Sequence, residues 1–221
     1  MSRAWLLALL LNVFPATAAD VGELLWEPGM KAMDGRKLVF PGAPRHGRAA
    51  PGVPRVAVID SGIAPGHPQL AGYVVEAVDF TGEGLEDALG HGTAVALVAA
   101  FGEHLPQPEV ALLSAKVADR HGRVRRQDVI RAIDWAASRG ARVVYLRLGF
   151  RGTRKEHAEL CEAIRERWNV LFFASAVNAV PPTEVYPANC RLGNLHATWA
   201  DPRARPPVQL APNEVLGPGM A

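Results

Sequence analysis

From Arg55 onward, short apolar runs of strand length alternate with stretches of helical periodicity. Residues 55–59, 110–117, 142–148 and 170–176 read as buried strands, with weaker ones at 195–199 and 208–211. Between them, residues 128–139 set Val129, Ile130, Ile133 and Ala137 on one helical face and stop at Gly140. Residues 154–168 do the same with Leu160, Cys161, Ile164 and Trp168. Strands that are apolar throughout need cover on both faces, and the interleaved helices supply it. The pattern therefore predicts an α/β domain of three layers, with a mainly parallel sheet and helices on both faces. No internal repeat is visible.

The rest of the chain is of another kind. Arg3 precedes an apolar run over residues 4–11, and Ala16, Thr17 and Ala18 form a small-residue cleavage pattern, so residues 1–18 read as a secretory signal peptide. The apolar run is too short for a comfortable membrane span, and stable membrane insertion is not expected. Residues 19–52 read as an irregular leader, closing on Pro41, Gly42, Pro44, Gly47, Pro51 and Gly52. Residues 53–221 then form the folded domain, secreted or periplasmic. A formal charge of +2 with 21% charged residues gives no sign of a nucleic-acid partner. The basic cluster Arg120, His121, Arg123, Arg125 and Arg126 reads as a solvated loop and helix start. In an exported chain the two cysteines, Cys161 and Cys190, are either one disulfide or two buried thiols.

In parallel sheets, ligands and catalytic groups gather beyond the carboxyl ends of the strands. There the sequence offers Asp60-Ser61-Gly62 after the first strand, His91-Gly92-Thr93 opening an apolar helical stretch, and Asn178 after the run 170–176. A carboxylate that orients an imidazole, and an amide able to donate to an oxyanion, are parts of an acyl-transfer site. Each part alone has an ordinary explanation as a turn, a helix cap or a loop residue. A metal site built from Asp60, His67 and His91 lacks any tight ligand spacing. No cofactor and no metal ion is called for.

Taken in order, these segments resemble the subtilisin-like serine peptidases, the subtilases. Val56-Ala-Val-Ile-Asp60-Ser-Gly-Ile-Ala-Pro-Gly-His67-Pro resembles the family's aspartate motif, and Asp87-Ala-Leu-Gly-His91-Gly-Thr-Ala-Val-Ala its histidine motif. Ala115-Lys116-Val117, Tyr186-Pro187-Ala188 and Ala211-Pro212 are similar to later landmarks. The resemblance implies that His91 is the general base, that Asp60 holds its tautomer and that Asn178 donates to the oxyanion. It also implies a polypeptide substrate, lying extended along the edge formed by Arg147, Leu148 and Gly149.

The resemblance further implies a serine nucleophile after Asn178, in a Gly-Thr-Ser-Met-Ala type motif. No serine follows Ser175, and in Gly217-Pro218-Gly219-Met220-Ala221 the serine position is taken by Gly219. Relative to the family the domain reads as C-terminally truncated, with its nucleophile segment missing. Two more departures bear on the cleft: Arg147 stands where serine is usual, and Val177 where glycine is usual. Ser61 reads as a turn hydroxyl, and Ser114, Ser138 and Ser175 as filler within strands and helices. Cys190 is the remaining substitute nucleophile. The expectation is a secreted serine endopeptidase of the Asp/His/Ser type without its own serine, or else a pseudoprotease that binds a polypeptide partner.

Overall fold

The computed structural model describes residues 35–37, 49–101, 110–176 and 185–198. Its strands are β1 (Arg55–Asp60), β2 (Val74–Asp79), β3 (Ala111–Lys116), β4 (Ala141–Leu146), β5 (Phe150–Arg151), β6 (Leu171–Ser175), β7 (Val185–Tyr186) and β8 (Leu195–Thr198). Six of them form one sheet in the order β2-β3-β1-β4-β6-β8, every neighbouring pair parallel. The short β5 and β7 pair antiparallel beside it. The helices are α1 (His91–Phe101), α2 (Arg126–Ser138) and α3 (Ala158–Arg165).

Burial explains why the central strands lack an apolar/polar alternation. All six residues of β3, and all of β1 except Arg55, are buried, because helices cover both faces. One face carries α1, whose side chains are buried nearly all round against Val56, Val58, Leu70, Tyr73 and Leu112. The other carries α2 and α3 over Ala57, Ile59, Leu113, Val144, Leu146 and Phe172. A helix apolar on every side belongs inside, and α1 is the least amphipathic of the three for that reason. By contrast α2 buries Asp128, Val129, Ala132, Ile133 and Ala136 and leaves its other side to solvent. Ile133 and Leu97, both fully buried, sit in the two cores. Each such side chain contributes about 1.5–3 kcal/mol relative to exposure.

The α/β layering expected from the sequence is the one observed. Three strands escaped the sequence reading: the two-residue pair β5 and β7, and β2, which forms a margin of the sheet, partly exposed, with Glu76 and Asp79 disguising it as loop. A second difference lies at the end of α3. The pattern through Trp168 predicts a helix that buries that indole, yet α3 ends at Arg165 and Trp168 is 51% exposed. The Asn194 side-chain amide explains the stop, since it donates to the carbonyls of Ile164, Arg167 and Val170 at 3.1–3.2 Å and turns the chain toward β6. Ahead of α3, Thr153 and Glu156 exchange side-chain to backbone hydrogen bonds, so residues 154–157 form turns before the regular helix begins.

Cys161 on α3 and Cys190 at the end of a short 3₁₀ turn, Ala188–Cys190, form a disulfide with their Cα atoms 5.4 Å apart. That settles the two-thiol alternative and removes Cys190 as a nucleophile. A second 3₁₀ turn, Gly35–Lys37, lies against α1. The strand expected at 208–211 lies outside the described residues. Among the described residues no helix is long and apolar enough to cross a membrane.

Candidate active site

The chain visits β1, β2 and β3 on one side of the sheet and then crosses back past β1 to β4, β6 and β8. The carboxyl end of β1 is therefore the point where strand order reverses, the usual place for a ligand crevice in an open parallel sheet. Asp60 is the last residue of β1 and is fully buried. His91 opens α1 at the same end of the sheet and is only 5% exposed. Its Nδ1 lies 2.8 Å from Asp60 Oδ1.

What holds the pair is a backbone contact that only glycine permits. A Cβ on Gly92 would fall 2.1 Å from the carbonyl oxygen of Gly62, so the first turn of α1 lies directly on the loop that follows Asp60. Gly62 itself has φ +104°, a conformation that side chains resist. Around this contact runs a closed set of hydrogen bonds. The Ser61 backbone N–H donates to Asp60 Oδ1 at 2.7 Å, its hydroxyl donates to Asp87 Oδ1 at 2.8 Å, and Gly92 N–H donates to the Ser61 Oγ at 2.9 Å. Asp87 also accepts from the backbone of Gly90 and Thr93 and from the Thr93 hydroxyl, at 2.6–2.9 Å. Thr93 Oγ1 in turn accepts from the Ala64 N–H. The loop after β1 and the start of α1 are thereby one polar unit.

Asp87 has no exposed surface. Burial pushes its pKa up, with the nearby Asp60 charge adding to the shift, while the donors on Thr93 and Ser61 act in the opposite direction. Sequence reasoning gave Ser61 a turn role and assigned nothing to Asp87 or Thr93. Their signal is the Asp87-x-x-x-His91-Gly-Thr93 spacing, which puts a carboxylate under the free N–H groups of the helix that carries the histidine. Buried Lys116 was missed as well; its Nζ donates to the Glu86 carbonyl at 2.6 Å and steadies the same loop.

The other expected site residues fall as follows. Leu146 of β4 pairs with Ile59, so Arg147, the next residue, stands beside Asp60 at the sheet's carboxyl edge. It is buried, and its guanidinium donates to the Thr198 hydroxyl. Burial draws its pKa downward against the charge of Asp60. Leu148 is fully buried in the core under α2 and α3, which leaves only its backbone for a ligand. Gly149 passes so close to Val185 that a Cβ would meet its Cγ1 at 2.4 Å. Asn178, Val177 and Gly219 lie outside the described residues. His67, weighed above with Asp60 and His91 as a metal ligand, is buried with its Nδ1 accepting from the Gln69 N–H at 3.3 Å. Among the described residues no three or more His, Cys, Asp or Glu side chains form a metal-holding group.

A buried carboxylate on Nδ1 fixes the imidazole with its proton on that nitrogen and offers Nε2 as a proton acceptor, the arrangement of an acid–base pair for acyl transfer. Comparison with known proteins points the same way. Residues 53–199 match the model of the subtilase family, and the chain belongs to that family. It is 33% identical over 144 residues to thermitase from Thermoactinomyces vulgaris, an overlap covering 61% of this chain and 50% of thermitase. It is 36% identical over 102 residues to a thermophilic serine proteinase from Bacillus sp. (strain AK1), covering 42% of this chain and 25% of that protein. The chain thus spans half or less of the length of these relatives.

Proposed function

We propose that the site serves peptide-bond hydrolysis of the serine-endopeptidase type, with Asp60 and His91 as its acid–base pair. The observation that carries the reading is the 2.8 Å contact between two buried groups at the reversal point of the sheet. In such a reaction His91 Nε2 takes the proton of a serine hydroxyl as its oxygen attacks the scissile carbonyl, and Asp60 stabilises the imidazolium. The oxyanion of the tetrahedral intermediate is met by a donor, the role expected of Asn178. As the C–N bond breaks, His91 returns the proton to the leaving amine, and water then repeats the sequence on the acyl-enzyme.

The serine is the part this sequence does not supply after Ser175, and Gly219 stands at its motif position. The endopeptidase reading therefore rests on an activated serine supplied either from an unexpected position in this sequence or by a chain that copurifies with it. A polypeptide would lie along Arg147, Leu148 and Gly149 as an added strand. Export through residues 1–18 is part of the proposal, supported by the Cys161–Cys190 disulfide, a bond of oxidising compartments. The second reading is a pseudoprotease that keeps the polypeptide-binding edge without hydrolysis. It is favoured by Gly219 and by Arg147 in place of the usual serine.

Labelling of the purified protein with a fluorophosphonate probe decides between them, because the probe reacts with an activated serine. Labelling that disappears in His91→Ala supports the endopeptidase. A folded protein that takes no label overturns it for this chain and leaves polypeptide binding.

A further inference from the structure

Directly after Gly149 the chain enters β5, where Phe150 and Arg151 pair with Tyr186 and Val185 of β7. A ribbon of two residues a side does not hold by its own ladder, so something outside it must fix it. His157, the residue before α3, takes that place. Its side chain is completely buried, and its ring lies 4.9 Å from the Tyr186 ring and 5.9 Å from the Phe150 ring. Those two residues face each other across the ribbon.

Two polar contacts complete the hold, and their chemistry fixes the state of the ring. His157 Nε2 lies 3.0 Å from the Arg151 carbonyl oxygen, and Nδ1 lies 3.4 Å from a guanidinium nitrogen of Arg126 in α2. A carbonyl only accepts and a guanidinium only donates, so Nε2 carries the proton and Nδ1 is bare. The imidazole is therefore neutral, and this one side chain joins α2 to both strands of the ribbon. A proton added at Nδ1 would face a donor with a donor, break the Arg126 contact and set a second cation beside the first in a site closed to solvent.

The groups around the ring do little to compensate such a cation. Arg126 from α2 and Arg151 from β5 are themselves positive, and β7 presents the uncharged Tyr186. The neighbouring carboxylate of Glu156 already accepts from the Thr153 N–H and hydroxyl at 2.6 and 2.9 Å, and Glu159 of α3 accepts from Gln127 at 2.8 Å. Burial pushes the His157 pKa down and Arg126 adds to this, against the Arg151 hydrogen bond and the Glu156 charge. A histidine with a folded pKa below its unfolded value of about 6.5 takes its proton more readily when the chain opens. Its hold is complete above that pH and is lost as the pH falls beneath it.

We propose that His157 is an acid-sensitive latch, which clamps the β5 and β7 ribbon onto α2 when neutral and lets the ribbon open when protonated. The ribbon backs Gly149, whose backbone lies against Val185, so opening reaches the edge where the polypeptide reading places its ligand. The latch itself does not rest on that reading.

Hydrogen exchange followed by mass spectrometry at about pH 7.5 and about pH 5.5, resolved by segment and corrected for the intrinsic pH dependence of amide exchange, tests this. The expected result is a loss of protection of up to about tenfold over residues 150–151 and 185–186 at the lower pH, with β1 and β3 unchanged. His157→Gln keeps a donor and an acceptor without a titrating group, and the loss disappears in it. In Arg126→Met the loss shrinks about threefold, because the second cation is gone. Melting curves confirm that the variants fold; should His157→Gln not fold, Arg126→Met and nitrogen NMR of the His157 ring in the unaltered protein decide instead. Equal protection at both pH values, an acid loss that persists in His157→Gln or is unchanged in Arg126→Met, or an Nδ1–H tautomer at neutral pH overturns the latch. No peptide enters these measurements, so the latch and the polypeptide reading stand or fall separately.

Discussion

A methyl group at position 92 would occupy the space of the Gly62 carbonyl oxygen, and the contact between Asp60 and His91 depends on that vacancy. The contact is backbone to backbone, so no rotamer change relieves it; α1 or the loop after β1 must move. Gly92→Ala is therefore expected to destabilise the protein by about 1–3 kcal/mol and to separate His91 from Asp60. Thermal melting reads the first effect. The second shows as loss of the downfield imidazole proton signal that a buried Asp-bound Nδ1–H gives by NMR. A variant that melts like the parent and keeps that signal would refute the account of how the pair is held. The Asp60, Ser61 and Asp87 set makes the same point about legibility. Asp60 and His91 could be named from the chain because they follow a strand and open a helical stretch, within segments that resemble the subtilase motifs. Ser61 could not, because a serine reads as a turn residue until its neighbours are known.

At the scale of elements, α3 is tied to the segment leading into β8 by two devices, the Asn194 amide and the Cys161–Cys190 bond. The disulfide spans 29 residues, for which chain entropy gives a stabilisation of about 3–4 kcal/mol. Replacing both cysteines by alanine is expected to lower the melting temperature by on the order of 10 °C. Equal melting with and without the bond would mean that packing and the Asn194 amide hold α3 without it. The pairing was open in the sequence, where two cysteines 29 residues apart fit a bond or two thiols equally. The end of α3 was misread for a related reason: Trp168 continues the helical period, while the residue that stops the helix, Asn194, is distant in sequence and close only in the fold.

Across the whole molecule, two cores lie on opposite faces of one sheet and share β1, β3 and β4. Because the shared strands carry side chains into both cores, the layers are expected to unfold together. Leu97→Ala on the α1 face and Ile133→Ala on the α2 face should each cost about 2–5 kcal/mol and shift the same single transition in denaturant. Two separated transitions in either variant would show that the faces fold independently. The alternation of apolar runs with amphipathic helices was enough by itself to determine the α/β layering and most of the buried strands, since periodicity and burial are local properties of the chain, while Asp60 and His91 became candidates through the resemblance of their motifs. Only the tertiary structure decided the reversal of strand order at β1, the disulfide, the margin strand β2 and the enclosure of His157 by α2, β5 and β7. Each of those is a relation between residues far apart in sequence, and strand order and register exist only once the sheet has formed.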